Sequence, residues 1–274
     1  MTIACRIFVW ILLVVASPAF AAVAEHGMVA AEHELAARAG AEMLARGGNA
    51  VDAAIAAGFA TGIVNPSSCG IGGGGFLLVR DGKSGRERFL DFRETAPRAA
   101  RSDMYVRNGK VDPALSLRGV LAVAVPGEVR GLLRGLADFG TLPLGKVMEP
   151  AIRYAAEGFP VGNHLAEELR RNAEEIRRRP PLAAVYLKPN GEPYAVGERL
   201  VQRDLAETLR RIAERGANAF YEGPIAETIV ATLAAEGGML SSADLSGYRE
   251  QVREPLRVDY RGFTILGAPP PSSG

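Results

Sequence analysis

Residues 69–80 read CGIGGGGFLLVR, a glycine run that passes straight into a short apolar strand. Upstream, Ala50 to Val64 is small or apolar almost all round, which predicts a buried helix broken by Asn65-Pro66-Ser67-Ser68. Downstream, the turn residues DGKSG (81–85) lead into RERFLDFR (86–93), so the local order is buried helix, glycine loop, β-hairpin. That order governs how the glycines are read. Gly70-Ile71-Gly72-Gly73-Gly74-Gly75 satisfies the spacing Gly-x-Gly-x-x-Gly. A dinucleotide site, however, needs a strand before the loop and a helix after it, because the helix N-terminus holds the pyrophosphate. Here the two are exchanged, and no Gly-Lys-Ser/Thr closes the run as it would in a phosphate-binding loop. What remains is a backbone that takes conformations closed to other residues, or passes close to another segment or a ligand.

The pattern extends on both sides of this stretch. Leu35, Ala36, Ala39, Met43 and Leu44 recur at helical spacing within Ala31 to Arg46, and Gly47-Gly48 stops the helix they form. Asn49, three residues before Asp52, is the expected N-cap of the buried helix. Farther on, PGEVRGLLRGLADFG (126–140) carries Val129, Leu132, Leu133 and Leu136 on one helical face and ends at Gly140. Helices are also predicted near 144–157, 163–179, 202–215 and 224–236. A polar hairpin is expected at Pro189-Asn190-Gly191, and strands near 252–266 should turn at Arg261-Gly262. The run RRNAEEIRRR (170–179) and the acid pairs Glu167-Glu168 and Glu174-Glu175 read as solvated helix faces. No internal repeat or low-complexity tract is present.

The chain has 274 residues, 48% of them hydrophobic, with 32 Lys and Arg against 31 Asp and Glu. Such a composition supports an ordinary core and excludes chain-wide disorder. It offers no cationic excess to neutralise phosphates, so nucleic acid is not an expected partner. The N-terminus, MTIACRIFVWILLVVASPAFAA, has one early cation (Arg6), an apolar run, Pro18 and then small residues. This layout predicts a signal peptide over residues 1–21 with Ala19-Phe20-Ala21 at the cleavage site, and Ala22-Val23-Ala24 as a second site of the same kind. Later apolar runs fall short of the roughly 20 residues needed to span a bilayer. The expected product is therefore periplasmic or secreted, with no membrane partner after cleavage. Cleavage would remove Cys5 and Arg6, leaving Cys69 as a lone cysteine that is expected to be buried and inert. His26, His33 and His164 show no metal-ligand spacing, and the sequence calls for neither a metal nor a cofactor.

Asp91-Phe92-Arg93-Glu94-Thr95-Ala96-Pro97 closes the hairpin with a charged cluster. The planar fork of Arg93 suits a substrate carboxylate, since it donates two parallel hydrogen bonds and stays ionised. A strand-end ion pair with Asp91 or Glu94 suits it too, and spacing alone leans to the ion pair.

A wider set of residues changes that balance. In order they are Gly27-Met28-Val29-Ala30, Gly47-Gly48-Asn49-Ala50-Val51-Asp52-Ala53-Ala54, Gly70 to Phe76, Asp91 to Pro97, Val125-Pro126-Gly127, Phe220-Tyr221-Glu222-Gly223 and Pro269-Pro270-Pro271-Ser272-Ser273-Gly274. On these the chain resembles the γ-glutamyltranspeptidases (γ-glutamyltransferases), a family of N-terminal-nucleophile hydrolases. The resemblance implies an α+β fold, the αββα four-layer sandwich, with residues 22–274 as the N-terminal portion of the large subunit, truncated in mid-domain. It also implies an exported precursor that cleaves itself into two subunits. The chemistry would be attack on a γ-glutamyl amide such as glutathione by a threonine hydroxyl at the small subunit's N-terminus, the threonine's own amine acting as base. Water, or an amino acid or peptide, would then resolve the acyl-enzyme.

By this resemblance Arg93 binds the α-carboxylate of the γ-glutamyl group. No catalytic residue is carried over, because the Thr-Thr-His that opens the family's small subunit does not occur here. The stretch by itself is therefore expected to be inactive. Two other readings stay open: a related acylase acting on glutaryl-cephalosporins or poly-γ-glutamate, and a non-catalytic truncated exported protein.

Overall fold

The computed structural model describes residues 24–272, so the expected signal peptide lies outside the described residues. Two helices come first, α1 (Glu34–Ala45) and α2 (Ala50–Val64). His33 caps α1, its Nδ1 accepting from the Leu35 N–H at 3.1 Å. Asn49 caps α2 as expected: its Oδ1 accepts from the N–H groups of Val51 (2.8 Å) and Asp52 (3.1 Å). Asp52 completes a capping box by accepting from the Asn49 N–H at 2.8 Å. Most of the helix is buried, with Ile55, Ala56, Ala60, Ile63 and Val64 in the core, while Ala50 and Ala54 are exposed and Gly58 and Thr61 partly so along one narrow face. Its lack of a polar face is what the sequence predicted, and its neighbours supply the cover.

The hairpin follows as β1 (Phe76–Arg80) and β2 (Glu87–Asp91), antiparallel in a register that runs from Phe76 opposite Asp91 to Arg80 opposite Glu87. Its turn is held by Asp81, whose Oδ1 accepts from the N–H groups of Lys83 and Ser84 at 2.7 and 3.2 Å. Beyond it, β3 (Val106–Arg107) and β4 (Lys110–Val111) form a small hairpin about Asn108-Gly109, both at positive φ, and α3 (Ala114–Leu117) comes next. Then α4 (Glu128–Phe139) and α5 (Leu144–Glu157) pack on α2, and α9 (Arg203–Arg215) packs on α5.

Between these lie β5 (Phe159–Pro160), paired with β6 (Arg199–Leu200), and α6 (Asn163–Arg171), α7 (Ala173–Arg177) and α8 (Pro180–Tyr186). The single helix expected over 163–179 is thus two helices that meet at Asn172. The Asn172 side chain donates to the Glu168 carbonyl at 2.9 Å, a local hydrogen bond that competes with continued helix. The charge run behaves as a solvated face: Arg170 and Arg171 pair with Glu167, and Arg179 pairs with Glu175, each at 2.8–2.9 Å. The polar turn at 189–191 is present, bridged by Leu187 and Pro193, with Gly191 at φ +80°.

The chain closes through α10 (Asn218–Tyr221), α11 (Gly223–Ala235), α12 (Ser242–Gly247), β7 (Gln251–Arg253), β8 (Leu256–Tyr260) and β9 (Phe263–Gly267). The strands expected near 252–266 serve two sheets. β8 and β9 form a hairpin that turns at Arg261-Gly262 as predicted, while β7 joins β2 to give the order β1-β2-β7. Pro255, which lacks an N–H, stands at the break between them. The result is an α+β arrangement in which α4 lies against β1 and β2, and α2 lies behind α4.

Candidate active site

The glycine run sits between α2 and β1, as the sequence order required. Gly75 and Phe92 exchange backbone hydrogen bonds at 3.0 and 3.3 Å, which extends the β1-β2 ladder by one pair. The Gly73 carbonyl accepts from the N–H groups of Gly127 and Glu128 at 2.8 and 2.9 Å, so the first turn of α4 is docked on the loop. None of the loop glycines has positive φ. Gly73 to Gly75 serve close approach, most clearly at Gly74, where a Cβ would overlap the Phe92 carbonyl and stand 3.0 Å from the Glu94 nitrogen, whereas Gly70 and Gly72 have open space around them. Of the two explanations open to the sequence, proximity is the one that accounts for Gly73 to Gly75.

Arg93 lies where β2 leaves its sheet. Its side chain is 57% exposed, with Nε 3.5 Å from Glu94 Oε2 and the guanidinium 5.8 Å from the Phe76 ring centroid. Asp91, the other partner considered for Arg93, is engaged elsewhere. One of its oxygens pairs with Arg253 Nε at 2.8 Å and the other accepts from the Arg93 backbone N–H at 3.0 Å. Besides the Phe76 ring, the Arg93 guanidinium therefore holds one partly exposed contact, to its sequence neighbour, worth about 0–1 kcal/mol, and an incoming carboxylate can displace it.

Two carboxylates flank the loop. Glu94 Oε1 lies 3.7 Å from where a Gly73 Cβ would be, and Glu128 Oε2 lies 3.7 Å from the same position on Gly75. Burial, together with the nearby Glu94 charge, pushes the Glu128 carboxyl up to about 7. Glu128 adjoins the Val125-Pro126-Gly127 motif, yet nothing in its own spacing marks it. Only the fold brings it to the loop.

The raised value has a testable sign. The folded state holds its proton to higher pH than the unfolded chain does, so Glu128 costs nothing below pH about 4.5, and its cost grows up to pH about 7. Glu128→Gln is expected to remove that cost, gaining about 3 kcal/mol on the wild type between pH 5 and pH 8 in urea unfolding. Parallel pH curves for the two proteins would show that Glu128 ionises normally.

Cys69 corrects one expectation, since it is exposed and not buried. The Asn65 to Ser68 break lifts it out of the helix packing. It is nevertheless not an activated thiol: partial desolvation and the Glu32 and Glu128 carboxylates raise its pKa. His164 Nε2 lies 3.5 Å from Ser67 Oγ, and His33 serves as the cap of α1. Among the described residues, no three His, Cys, Asp or Glu side chains are grouped to hold a metal ion, and no helix is long and apolar enough to cross a membrane.

The family model for gamma-glutamyltranspeptidase matches residues 36–274. The chain belongs to the gamma-glutamyltranspeptidase family. It is 41% identical to the glutathione hydrolase proenzyme of Pseudomonas sp. (strain A14) over 252 residues, which is 92% of this chain and 44% of that protein. It is 43% identical to the Acylase ACY 1 proenzyme of Pseudomonas sp. (strain V22), covering 92% of this chain and 46% of that protein. The chain thus spans less than half the length of these relatives. Among solved structures, Helicobacter pylori gamma-glutamyltranspeptidase superposes with a TM-score of 0.89 at 37% identity, over 92% of this chain and 72% of that chain. The α+β class expected from the resemblance is therefore the observed one, and the helix-glycine loop-hairpin order belongs to a gamma-glutamyltranspeptidase fold.

Proposed function

We propose that this chain is the N-terminal part of an exported γ-glutamyltransferase/glutathione hydrolase precursor, and that Arg93 receives the α-carboxylate of the γ-glutamyl group. One observation carries this reading. Arg93 presents a fork that is more than half exposed, at the rim of a glycine loop shaped by backbone contact, while the competing acid Asp91 is taken by Arg253. A planar, permanently charged group so placed suits bidentate capture of a carboxylate.

The nucleophile comes from elsewhere in the precursor. A threonine at a new N-terminus would attack the γ-carbonyl with its own amine as base, and water or an amino acid would release the glutamyl group. The exposed apolar row Val258, Tyr260, Phe263 and Ile265 on β8 and β9 supports a covering small subunit from the same precursor.

Two preparations test the proposal. The product of the complete gene should split into two chains, the second starting at threonine, and should release p-nitroaniline from a γ-glutamyl anilide. The 274-residue chain alone should release none, and measurable turnover by it would overturn the reading. The 43% identity to an acylase proenzyme favours one second reading, an acylase for dicarboxylic side chains such as glutaryl-cephalosporins. A glutaryl group keeps that carboxylate and lacks only the α-amino group, so both readings use Arg93, and they are separated by whether the complete protein turns over a glutaryl amide faster than a γ-glutamyl one.

A further inference from the structure

We infer that Tyr248 is a positioning residue that aims Arg93 at its carboxylate through the Arg93 backbone carbonyl; this rests on the reading of Arg93 proposed above. The neighbours of Arg93 are held by backbone. Phe92 is paired with Gly75, and Thr95 exchanges hydrogen bonds with Val125 at 2.8 and 3.2 Å. Arg93 itself is held by side chains at both polar groups: its N–H donates to Asp91 Oδ1 at 3.0 Å, and its carbonyl accepts from the Tyr248 hydroxyl at 2.9 Å. The direction in which the guanidinium leaves the backbone thus depends on two side chains and not on a sheet ladder.

Tyr248 is itself well fixed. It is 4% exposed and follows α12, whose N-terminus is locked by a Ser241-Asp244 capping box. Asp244 also accepts from the Arg98 N–H at 3.0 Å, which ties α12 to the segment just after Arg93. The Tyr248 ring stacks on Tyr221 with centroids 5.9 Å apart and planes 7° from parallel. Tyr221 is fully buried, donates to the Pro126 carbonyl at 2.9 Å and accepts from the Arg130 N–H at 3.3 Å. Gly127 completes the arrangement, because a Cβ there would overlap both the Phe92 carbonyl and the Tyr248 hydroxyl. A Phe at 248 would keep the stack and lose only the hydrogen bond to Arg93.

A double-mutant cycle in the complete gene product, assayed on γ-glutamyl p-nitroanilide, separates positioning from plain stability. Tyr248→Phe is expected to lower kcat/KM about 3- to 10-fold, chiefly through KM, as befits one hydrogen bond. In an Arg93→Ala background it should change nothing further, because the group it aims is gone. An equal fall in both backgrounds would mean a structural role and overturn the inference. So would wild-type activity of Tyr248→Phe when Arg93→Ala is crippled, an outcome that leaves the reading of Arg93 standing. Full activity of Arg93→Ala would remove that reading, and the inference with it. If Tyr248→Phe does not fold, Asp91→Asn is put through the same cycle, since it weakens the other side-chain hydrogen bond that fixes the Arg93 backbone.

Discussion

Arg93→Ala in the complete gene product is expected to lower kcat/KM for a γ-glutamyl anilide by about 10²- to 10³-fold while leaving the fold intact. The two halves of that expectation have separate causes. The side chain is 57% exposed and its ion pair to Glu94 is a 3.5 Å contact at the surface, so its loss costs the folded chain at most about 1 kcal/mol. A bound α-carboxylate, by contrast, would be left without its paired cation, a penalty of about 3–5 kcal/mol when the site is closed to water. Lysine at this position should recover part of the loss, since it keeps the charge but not the fork. Steady-state kinetics of the alanine and lysine variants, with a thermal melt of each, decide the matter. A fall in melting temperature matching the loss of activity would show that Arg93 serves the fold.

The largest effect on stability is expected at Asp52, which is 0% exposed and joins two segments distant in sequence. Besides capping α2, its carboxylate accepts from the Thr141 N–H at 2.9 Å, the Thr141 hydroxyl at 2.6 Å and the Leu142 N–H at 3.0 Å. It therefore pins the start of α2 to the connection between α4 and α5, 89 residues away. Burial alone would raise its pKa, but the hydrogen bonds from Thr141, Leu142 and Asn49 outweigh burial and hold it below its ordinary value of 3.8.

Asp52→Ala would leave these buried donors without an acceptor, at a cost of about 3–5 kcal/mol. Against a total stability of about 5–15 kcal/mol that is enough to unfold much of the protein on mild heating. The depressed pKa sets the sign of the acid response. The contribution is complete above pH 3.8 and is lost as pH falls through the lower folded value. Urea unfolding at pH 7 tests this directly, and a loss below about 1 kcal/mol would mean that water replaces the carboxylate without penalty.

What was legible in the sequence is what depends on near neighbours. The Asn49 cap, the apolar character and extent of α2, the glycine stop of α4, the β1-β2 hairpin and the Arg261-Gly262 turn each follow from residues within a few positions of one another. Periodicity, capping and turn chemistry act over that range. The small hairpin at Asn108-Gly109 carried such a signal too, and went unread.

Arg93 was legible only in part. Its motif admitted a carboxylate ligand or a strand-end ion pair, and nothing local separates the two. Arg253 bears on it by taking Asp91 from 162 residues away, so that the ion pair Arg93 keeps is the one to Glu94 at 3.5 Å. Glu128 beside the glycine loop, Tyr248 on the Arg93 carbonyl 155 residues distant, and Asp52 on Thr141 are likewise products of packing. The sequence by itself determined which segments become helices and strands and where they stop, because those choices are made between adjacent turns of one chain. Only the tertiary structure decided which charges meet, which stay free and which carboxyl keeps its proton, because burial and long-range pairing exist only once the segments have packed.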